Sequence, residues 1–151
     1  MALEFDLTGM DDITVMLDYT EEGWKLASFQ KFYQFVEDLG LGVHNLDTDT
    51  LKIMLTNTAP VVTNEIKANI TEISAGFGYT AGGTTVTNNV YSQTAGVAKL
   101  VGDDVVFTAA GGDIAPWRYA VLYNDTPTSP ADPLIGWWDY TSIQTITNGN
   151  T

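Results

Sequence analysis

Hydrophobic and polar residues alternate one by one along most of this chain, which is the pattern of strands that bury one face. The alternating segments are short and are bounded by glycine, proline or asparagine, as strands are at turns. The predicted strands cover residues 12–19, 50–56, 66–70, 84–91, 96–101, 105–108, 117–123, 134–140 and 143–147. The glycine-rich stretch 74–83 is predicted to be a turn-forming loop.

One segment near the N-terminus departs from this alternation. Between residues 25 and 39 apolar side chains recur every three or four positions, as in an amphipathic helix. Glu21 and Glu22 precede it, where carboxylates favour the positive end of the helix dipole, and Gly40 follows as a left-handed stop. We therefore predict one helix at residues 25–39.

Consecutive short strands without intervening helices favour antiparallel sheets. We expect a mainly β protein, an antiparallel β-sandwich of the jelly-roll kind with one N-terminal amphipathic helix. A chain of 151 residues is long enough for one core and short for two. Residues 1–24 are expected to form an N-terminal arm with one strand, and residues 25–151 a single domain.

Composition excludes several classes of partner and chemistry. The chain has 19 acidic and 6 basic residues, a formal net charge of −13 at pH 7. Nucleic acids and anionic membrane surfaces attract the opposite charge, so neither is expected as a partner. The absence of cysteine excludes disulfides, thiolate metal sites and thiol nucleophiles. No apolar run approaches the roughly 20 residues of a membrane span, and the acidic start is unlike a signal peptide.

Candidate catalytic or metal-binding groups are few. His44 is the one histidine, and the end of a helix favours a histidine through its dipole, so we expect this role rather than that of a general base. Asp47 and Asp49 alternate as in a calcium loop but lack the following glycine and distal glutamate of an EF-hand, so we expect them to accept turn hydrogen bonds. A calcium site of another kind stays open. We predict no cofactor, no metal site and no enzymatic activity, and rank a glycan-degrading pair of carboxylates last.

Aromatic residues concentrate in two predicted strands. Trp137, Trp138 and Tyr140 lie in one, and Trp117 and Tyr119 lie in its expected neighbour. Because adjacent residues of a strand point to opposite faces, we expect one of the two consecutive tryptophans in the core and the other exposed or in an interface. These five residues are the candidate interface or binding residues, for subunit contact first and for sugar binding second.

Six segments between residues 29 and 147 carry a family resemblance through their order and spacing. They are 32–39 (FYQFVEDL), 49–60 (DTLKIMLTNTAP), 70–73 (ITEI), 78–83 (GYTAGG), 118–126 (RYAVLYNDT) and 133–140 (PLIGWWDY). Together they resemble a family of small structural proteins of tailed-bacteriophage virions. Residues 1–28 do not match this family, and its pattern would continue with another strand after the Asn148-Gly149 turn. That missing strand predicts either a truncated chain or an edge completed by another subunit.

The resemblance implies a component of the virion, foremost a capsid decoration or cement protein on the head surface. We expect a homo-oligomer, a trimer at a local threefold axis, in contact with the major capsid protein or other virion proteins. Strand exchange through residues 1–20 would complete its contacts. The alternative is a tail-associated adhesin or a carbohydrate-binding β-sandwich module.

Overall fold

The computed structural model describes residues 3–6, 13–20 and 23–151, with side chains from residue 27 onward. The strands are β1 (Leu3–Asp6), β2 (Ile13–Thr20), β3 (Gly23–Lys31), β4 (Leu51–Thr56), β5 (Thr84–Thr85), β6 (Val90–Thr94), β7 (Val97–Gly102), β8 (Trp117–Asn124) and β9 (Leu134–Gln144). One α-helix, α1, spans Tyr33–Gly40, and a 3₁₀ turn spans Lys67–Asn69. All strand pairs among the described residues are antiparallel, which confirms the mainly β, antiparallel prediction.

The strands form two sheets. The large sheet has the order β2-β3-β9-β8-β4-β5, and the small sheet has the order β1-β7-β6. The two strands that carry the candidate aromatic residues, β8 and β9, are therefore neighbours in the interior of the large sheet. Leu100 of β7 and Tyr91 of β6 pack against the same core as the large sheet.

Both faces of the large sheet are covered. The residues that fill one face include Phe29, Phe35, Leu46, Leu51, Ile53, Leu55, Ile114, Ala120, Leu122 and Trp138. The residues that fill the other are Phe32, Met54, Tyr119, Val121, Tyr123, Leu134 and Trp137, with Val62 and Ile70 from the connection between β4 and β5 packed over them. Strands β4 and β8 consequently bury side chains on both sides.

The predicted helix 25–39 is wrong over its first part. Residues 25–31 belong to β3, in which Ala27 and Phe29 are buried while Ser28 and Gln30 are exposed. Phe29 and Phe32 have helical spacing, but Phe32 follows the strand and enters the opposite face of the sheet. The helix ends at Gly40 as predicted, whereas the residue with positive φ is Gly42 (φ 74°). Glu21 and Glu22 lie outside the described residues.

The other strand predictions are confirmed in part. The strands predicted at 12–19, 50–56, 96–101 and 117–123 are confirmed within two residues, whereas 84–91 shrinks to a two-residue strand and the start of β6. The segment 66–70 contains the 3₁₀ turn and 105–108 is not a strand. The strand predicted at 134–140 continues without a break to Gln144 as β9, so only the first two residues of the predicted strand 143–147 are in a strand. The turn at Asn148-Gly149 is present, and the amide of Ala109 donates to the carbonyl of Asn150 (2.9 Å).

Candidate functional site

The tryptophans of β9 are both inside the molecule. Trp137 contacts Phe32 on one face of the large sheet, with ring centroids 4.5 Å apart, and Trp138 contacts Phe29 on the other, at 4.9 Å. Neither is more than 3% exposed. The expectation that one of them faces outward is wrong, because alternation separates faces and both faces of this sheet are covered.

Trp117 and Tyr119 of β8 are also buried, but on opposite faces of the sheet, although strict alternation in a strand would place residues two apart on one face. The register shifts between them, since Trp117 lies opposite Gln144 while Tyr119 lies opposite Asp139. Trp117 packs edge-on against the partly buried Tyr140, with ring centroids 4.6 Å apart. Burial raises the pKa of the Tyr140 phenol above its ordinary value. The rings fill the core and form no platform for a sugar, which removes the support for that role.

An ion pair holds β8 to β9 beside these rings. Arg118 Nε and Nη2 donate to the two carboxylate oxygens of Asp139, at 2.8 and 2.9 Å. The guanidinium also lies over the ring of Tyr119, 5.1 Å from its centroid. The hydrogen bond from Arg118 holds the pKa of Asp139 below its ordinary value. Because the two charges are neutralised by each other, we assign this pair a structural role, which is to hold β8 and β9 in their register.

The glycine-rich stretch 74–83 is a loop, as predicted, and two tyrosines fix it. Tyr79 Oη donates to Glu72 Oε1 (2.6 Å) and accepts from the amide of Leu55 (3.0 Å). The amide of Gly82 donates to the same carboxylate oxygen (2.6 Å), and Tyr123 Oη donates to the Gly82 carbonyl (2.7 Å). Burial first, and then the Glu72 hydrogen bond, raise the pKa of Tyr79. These groups are satisfied within the chain and hold the loop over β4.

A second polar cluster lies behind α1. His44 is buried against the ring of Phe35, and its Nδ1 lies 3.2 Å from Nδ2 of Asn124, which is fully buried on β8. Asn124 Nδ2 also donates to Asp49 Oδ2 (2.7 Å). Burial lowers the pKa of His44. Asp38 of α1 is buried nearby and its charge raises that pKa, but by less, so the pKa of His44 stays below its ordinary value. The histidine follows the helix as expected, but a buried amide holds it, which sequence position does not reveal.

The turn role expected for Asp47 and Asp49 is confirmed for Asp49 alone, because Asp47 bonds to a distant strand. Asp49 Oδ2 accepts from the amide of Asn45 (2.8 Å), and Asp47 Oδ1 accepts from the amide of Tyr91 on β6 (3.1 Å). Within the part of the chain that the structure describes, no group of three or more histidine or carboxylate side chains is placed to hold a metal ion.

Sequence reasoning missed an exposed apolar surface on α1, which we call the apolar face and define as Tyr33, Val36, Leu41 and Val61. Their exposed fractions are 66%, 42%, 72% and 55%. Tyr33 and Val36 are one turn apart on the helix, and the amide of Tyr33 donates to the carbonyl of Val62 (2.9 Å), which brings residue 61 alongside. The sequence does contain a signal for this surface, because Tyr33 and Val36 form an apolar pair at helical spacing that is separate from the apolar stripe containing the buried Phe35.

The charge around the apolar face has one sign. Residues 32–51 contain four acidic residues and no lysine or arginine, and residues 57–66 add one more acidic residue. Several basic side chains elsewhere are engaged within the chain, since Lys52 pairs with Asp125 (2.8 Å) and Lys67 lies over the ring of Tyr123. Acidic residues therefore outnumber basic ones in the segments that carry the apolar face.

None of the helices in the described residues has the length and hydropathy required to cross a bilayer. No family model, curated protein or solved structure matches the chain. Any functional conclusion therefore rests on the chain's own residues.

Proposed function

We propose that this chain is a structural protein of a tailed-bacteriophage virion, a decoration or cement protein that coats the head and has no enzymatic activity. The observation that carries the proposal is the apolar face, whose four apolar side chains on α1, at its end and in the segment bonded to its start are exposed. Contiguous exposed apolar residues mark interaction surfaces. The resemblance of residues 29–147 to small virion proteins supports the same conclusion.

The apolar face is proposed to bind the protein of the underlying capsid lattice. Charge complementarity supports this partner, because a chain with a net charge of −13 favours a partner that surrounds its apolar contact with basic residues. A second copy of this chain would bring another net charge of −13 to the same place, which opposes self-association there. Many identical weak contacts over a lattice give avidity without a large single interface.

The finer architecture belongs to this proposal. The two sheets that share a core are proposed to form a β-sandwich of the jelly-roll kind, and the protein to be a trimer at local threefold axes. Because copies repel one another, the trimer should strengthen as salt screens the charge. Sedimentation velocity at about 0.05 M and 0.5 M salt tests this, and a monomer at both, at high protein concentration, would contradict it.

The number of copies in each particle tests the proposed position in the virion. Quantitative mass spectrometry of purified virions of the phage that encodes the chain should give hundreds of copies, in fixed ratio to the major capsid protein. A tail adhesin would give a number close to a small multiple of the tail symmetry, and absence from the particle would refute a virion role altogether.

The catalytic alternative has little support in the geometry. The one histidine is buried and faces an amide, and the carboxylates of Asp47, Asp49, Glu72 and Asp139 each accept hydrogen bonds from the chain itself. The carbohydrate-binding alternative relied on the tryptophans of β8 and β9. Tryptophan fluorescence should therefore not respond to added host glycans, and a saturable response would revive the adhesin.

A further inference from the structure

The one histidine of the chain is held in its neutral form by hydrogen-bond geometry. Asn124 Nδ2 can only donate, so Nδ1 of His44 must be the acceptor in their 3.2 Å contact. The orientation of the Asn124 amide is fixed by two further bonds, because Nδ2 donates to Asp49 Oδ2 (2.7 Å) and Oδ1 accepts from the amide of Thr126 (3.1 Å). A reversed amide would lose both.

A proton on Nδ1 would turn this contact into a repulsive one between two N–H donors. Asn124 is fully buried and His44 is 5% exposed, so water has little access with which to relieve the conflict. The amide could accept from a protonated histidine only by rotating, at the cost of its bonds to Asp49 and Thr126. Protonation is therefore incompatible with the arrangement of this cluster.

The ionisable groups around His44 come from two elements. Asp38 approaches from α1 and Asp49 from the same connection as the histidine, and both charges favour protonation, but burial outweighs them and lowers the pKa of His44. Strand β8 contributes the neutral amide of Asn124, and its next residue, Asp125, is paired with Lys52 of β4. Asp38 Oδ1 accepts from Gln34 (3.0 Å). Among the described residues, neither Asp38 Oδ2 nor His44 Nε2 makes a hydrogen bond, although both are buried.

The segment that carries His44, residues 43–50, joins three parts of the fold. It connects α1 to β4. The amide of Thr50 donates to Thr126 Oγ1, and the carbonyl of Thr50 accepts from the amide of Asp125, both after β8 and both at 2.8 Å. The small sheet is attached to it through Asp47 and through Asn89 Nδ2, which donates to the carbonyl of Leu46 (2.7 Å). Loosening this segment would therefore remove one attachment of the small sheet and one of α1 together.

We propose that residues 43–50 form an acid-sensitive latch, in which proton binding at Nδ1 of His44 breaks the contact with Asn124 and releases the segment from β8 and the small sheet. This inference is independent of the proposed virion role, because it concerns the isolated chain.

The direction of the pH effect follows from linkage. The pKa of His44 is lower in the folded protein than in the unfolded chain, so the unfolded chain binds the proton more tightly. The stabilisation is complete above the ordinary histidine pKa of about 6.5 and is lost as the pH falls from there toward the folded pKa. Since the apolar face lies on α1, acid would also disturb that surface.

Hydrogen exchange measured by mass spectrometry or NMR at about pH 7.5 and 5.5, corrected for intrinsic rates, tests the latch, since a histidine titrates in this range. The amides of Asn45, Tyr91 and Thr126 should lose several-fold protection at the lower pH, up to the limit of about tenfold that one histidine with an ordinary pKa of about 6.5 in the open state allows. The amides that pair β8 with β9 should keep theirs. In the variant His44→Gln, which cannot be protonated, the difference between the two pH values should disappear.

Two results would overturn the latch. If His44→Gln and the wild type lose protection in parallel, carboxylate protonation is responsible. An NMR titration of the wild-type histidine ring needs no variant, and a pKa at or above the ordinary value would overturn it even if His44→Gln failed to fold. Asn124→Asp, which places an acceptor opposite Nδ1, should raise the pKa of His44 relative to the wild type.

Discussion

The ring of Phe29 lies against the backbone of Gly136, in the space that a Cβ atom at this position would occupy. The glycine lets β3 and β9 bring Phe29 and Trp138 into contact across their pairing. Nothing about this glycine in the sequence distinguishes it from the turn-forming glycines, because its role depends on a strand more than a hundred residues earlier. Its backbone does not need positive φ.

Gly136→Ala should lower the free energy of unfolding by about 2 kcal/mol, because the added methyl group must displace the Phe29 ring or separate two strands. Urea denaturation followed by tryptophan fluorescence measures this. Gly40→Ala is the matched control, since a Cβ there meets nothing within 4 Å and alanine favours a helix more than glycine does, and it should not lower the free energy of unfolding. Equal losses in the two variants would contradict the packing argument.

The Arg118–Asp139 pair gives a prediction about proton binding. Because the hydrogen bond from Arg118 lowers the pKa of Asp139, the pair stabilises the fold above the ordinary carboxylate range and loses this effect as the pH falls through the folded pKa. Arg118→Gln should raise the pKa of Asp139 toward its ordinary value, with a small loss of stability at neutral pH, since both side chains are partly exposed.

Carboxyl ¹³C NMR titration measures that pKa directly. Arg118→Lys is the control, since it keeps the charge but loses the two parallel bonds, and should give an intermediate pKa. An Asp139 pKa that is the same in all three proteins would show that the hydrogen bond does not have the assigned effect.

At the scale of the element, β9 is a single strand whose path changes in the middle. The two-residue step from Trp117 to Tyr119 in β8 lies opposite the five-residue step from Gln144 to Asp139 in β9, and Thr141 in this bulge has a positive φ of 64°. A β-branched residue in this conformation is strained. The bulge moves Trp117 to the opposite face from Tyr119, where it meets Tyr140.

Thr141→Gly should raise the free energy of unfolding by about 1 kcal/mol, because glycine adopts positive φ without a Cβ penalty. Thermal unfolding measures the change as an increase in Tm. Thr145→Gly is the control, an exposed threonine without positive φ, and should not stabilise. A lower Tm for Thr141→Gly would mean that its hydroxyl bond to the Tyr140 carbonyl outweighs the strain.

The elements that sequence predicts well are those whose signals are local. Alternation between turns locates β2, β4, β7 and β8, and the Gly40 stop locates the end of α1. The start of the helix is wrong because Phe29 and Phe32 match a helical spacing that in fact divides them between two faces of a sheet. The positions of Trp137 and Trp138 could not be derived either, because local alternation does not say whether a second face is covered.

The His44–Asn124 contact and the apolar face were harder still to predict, because each brings together residues that are distant in the sequence. His44 and Asn124 are 80 residues apart, and only the fold makes them neighbours. The apolar face likewise joins a helix to a segment that follows β4.

At the scale of the whole molecule, the proposed partner binds at the apolar face, which holds four of the exposed large apolar residues among those that the structure describes. Net charge sets which partner approaches, since −13 repels copies of the chain and attracts basic surfaces. Binding to a basic-rimmed lattice should weaken as salt increases, the opposite of what is expected for self-association. The two modes can therefore be separated in one protein by the sign of the salt effect.

Co-sedimentation with heads assembled without this protein, from the phage that encodes it, tests attachment through the apolar face most directly. The wild type should bind, and the double variant Tyr33→Ser/Leu41→Ser should bind at least about tenfold more weakly, a loss of about 1.4 kcal/mol. The control Val90→Ser/Ile143→Ser, which alters exposed apolar residues outside that face, should bind as the wild type does. Equal binding of the wild type and the Tyr33→Ser/Leu41→Ser variant, or no binding by the wild type, would contradict the account.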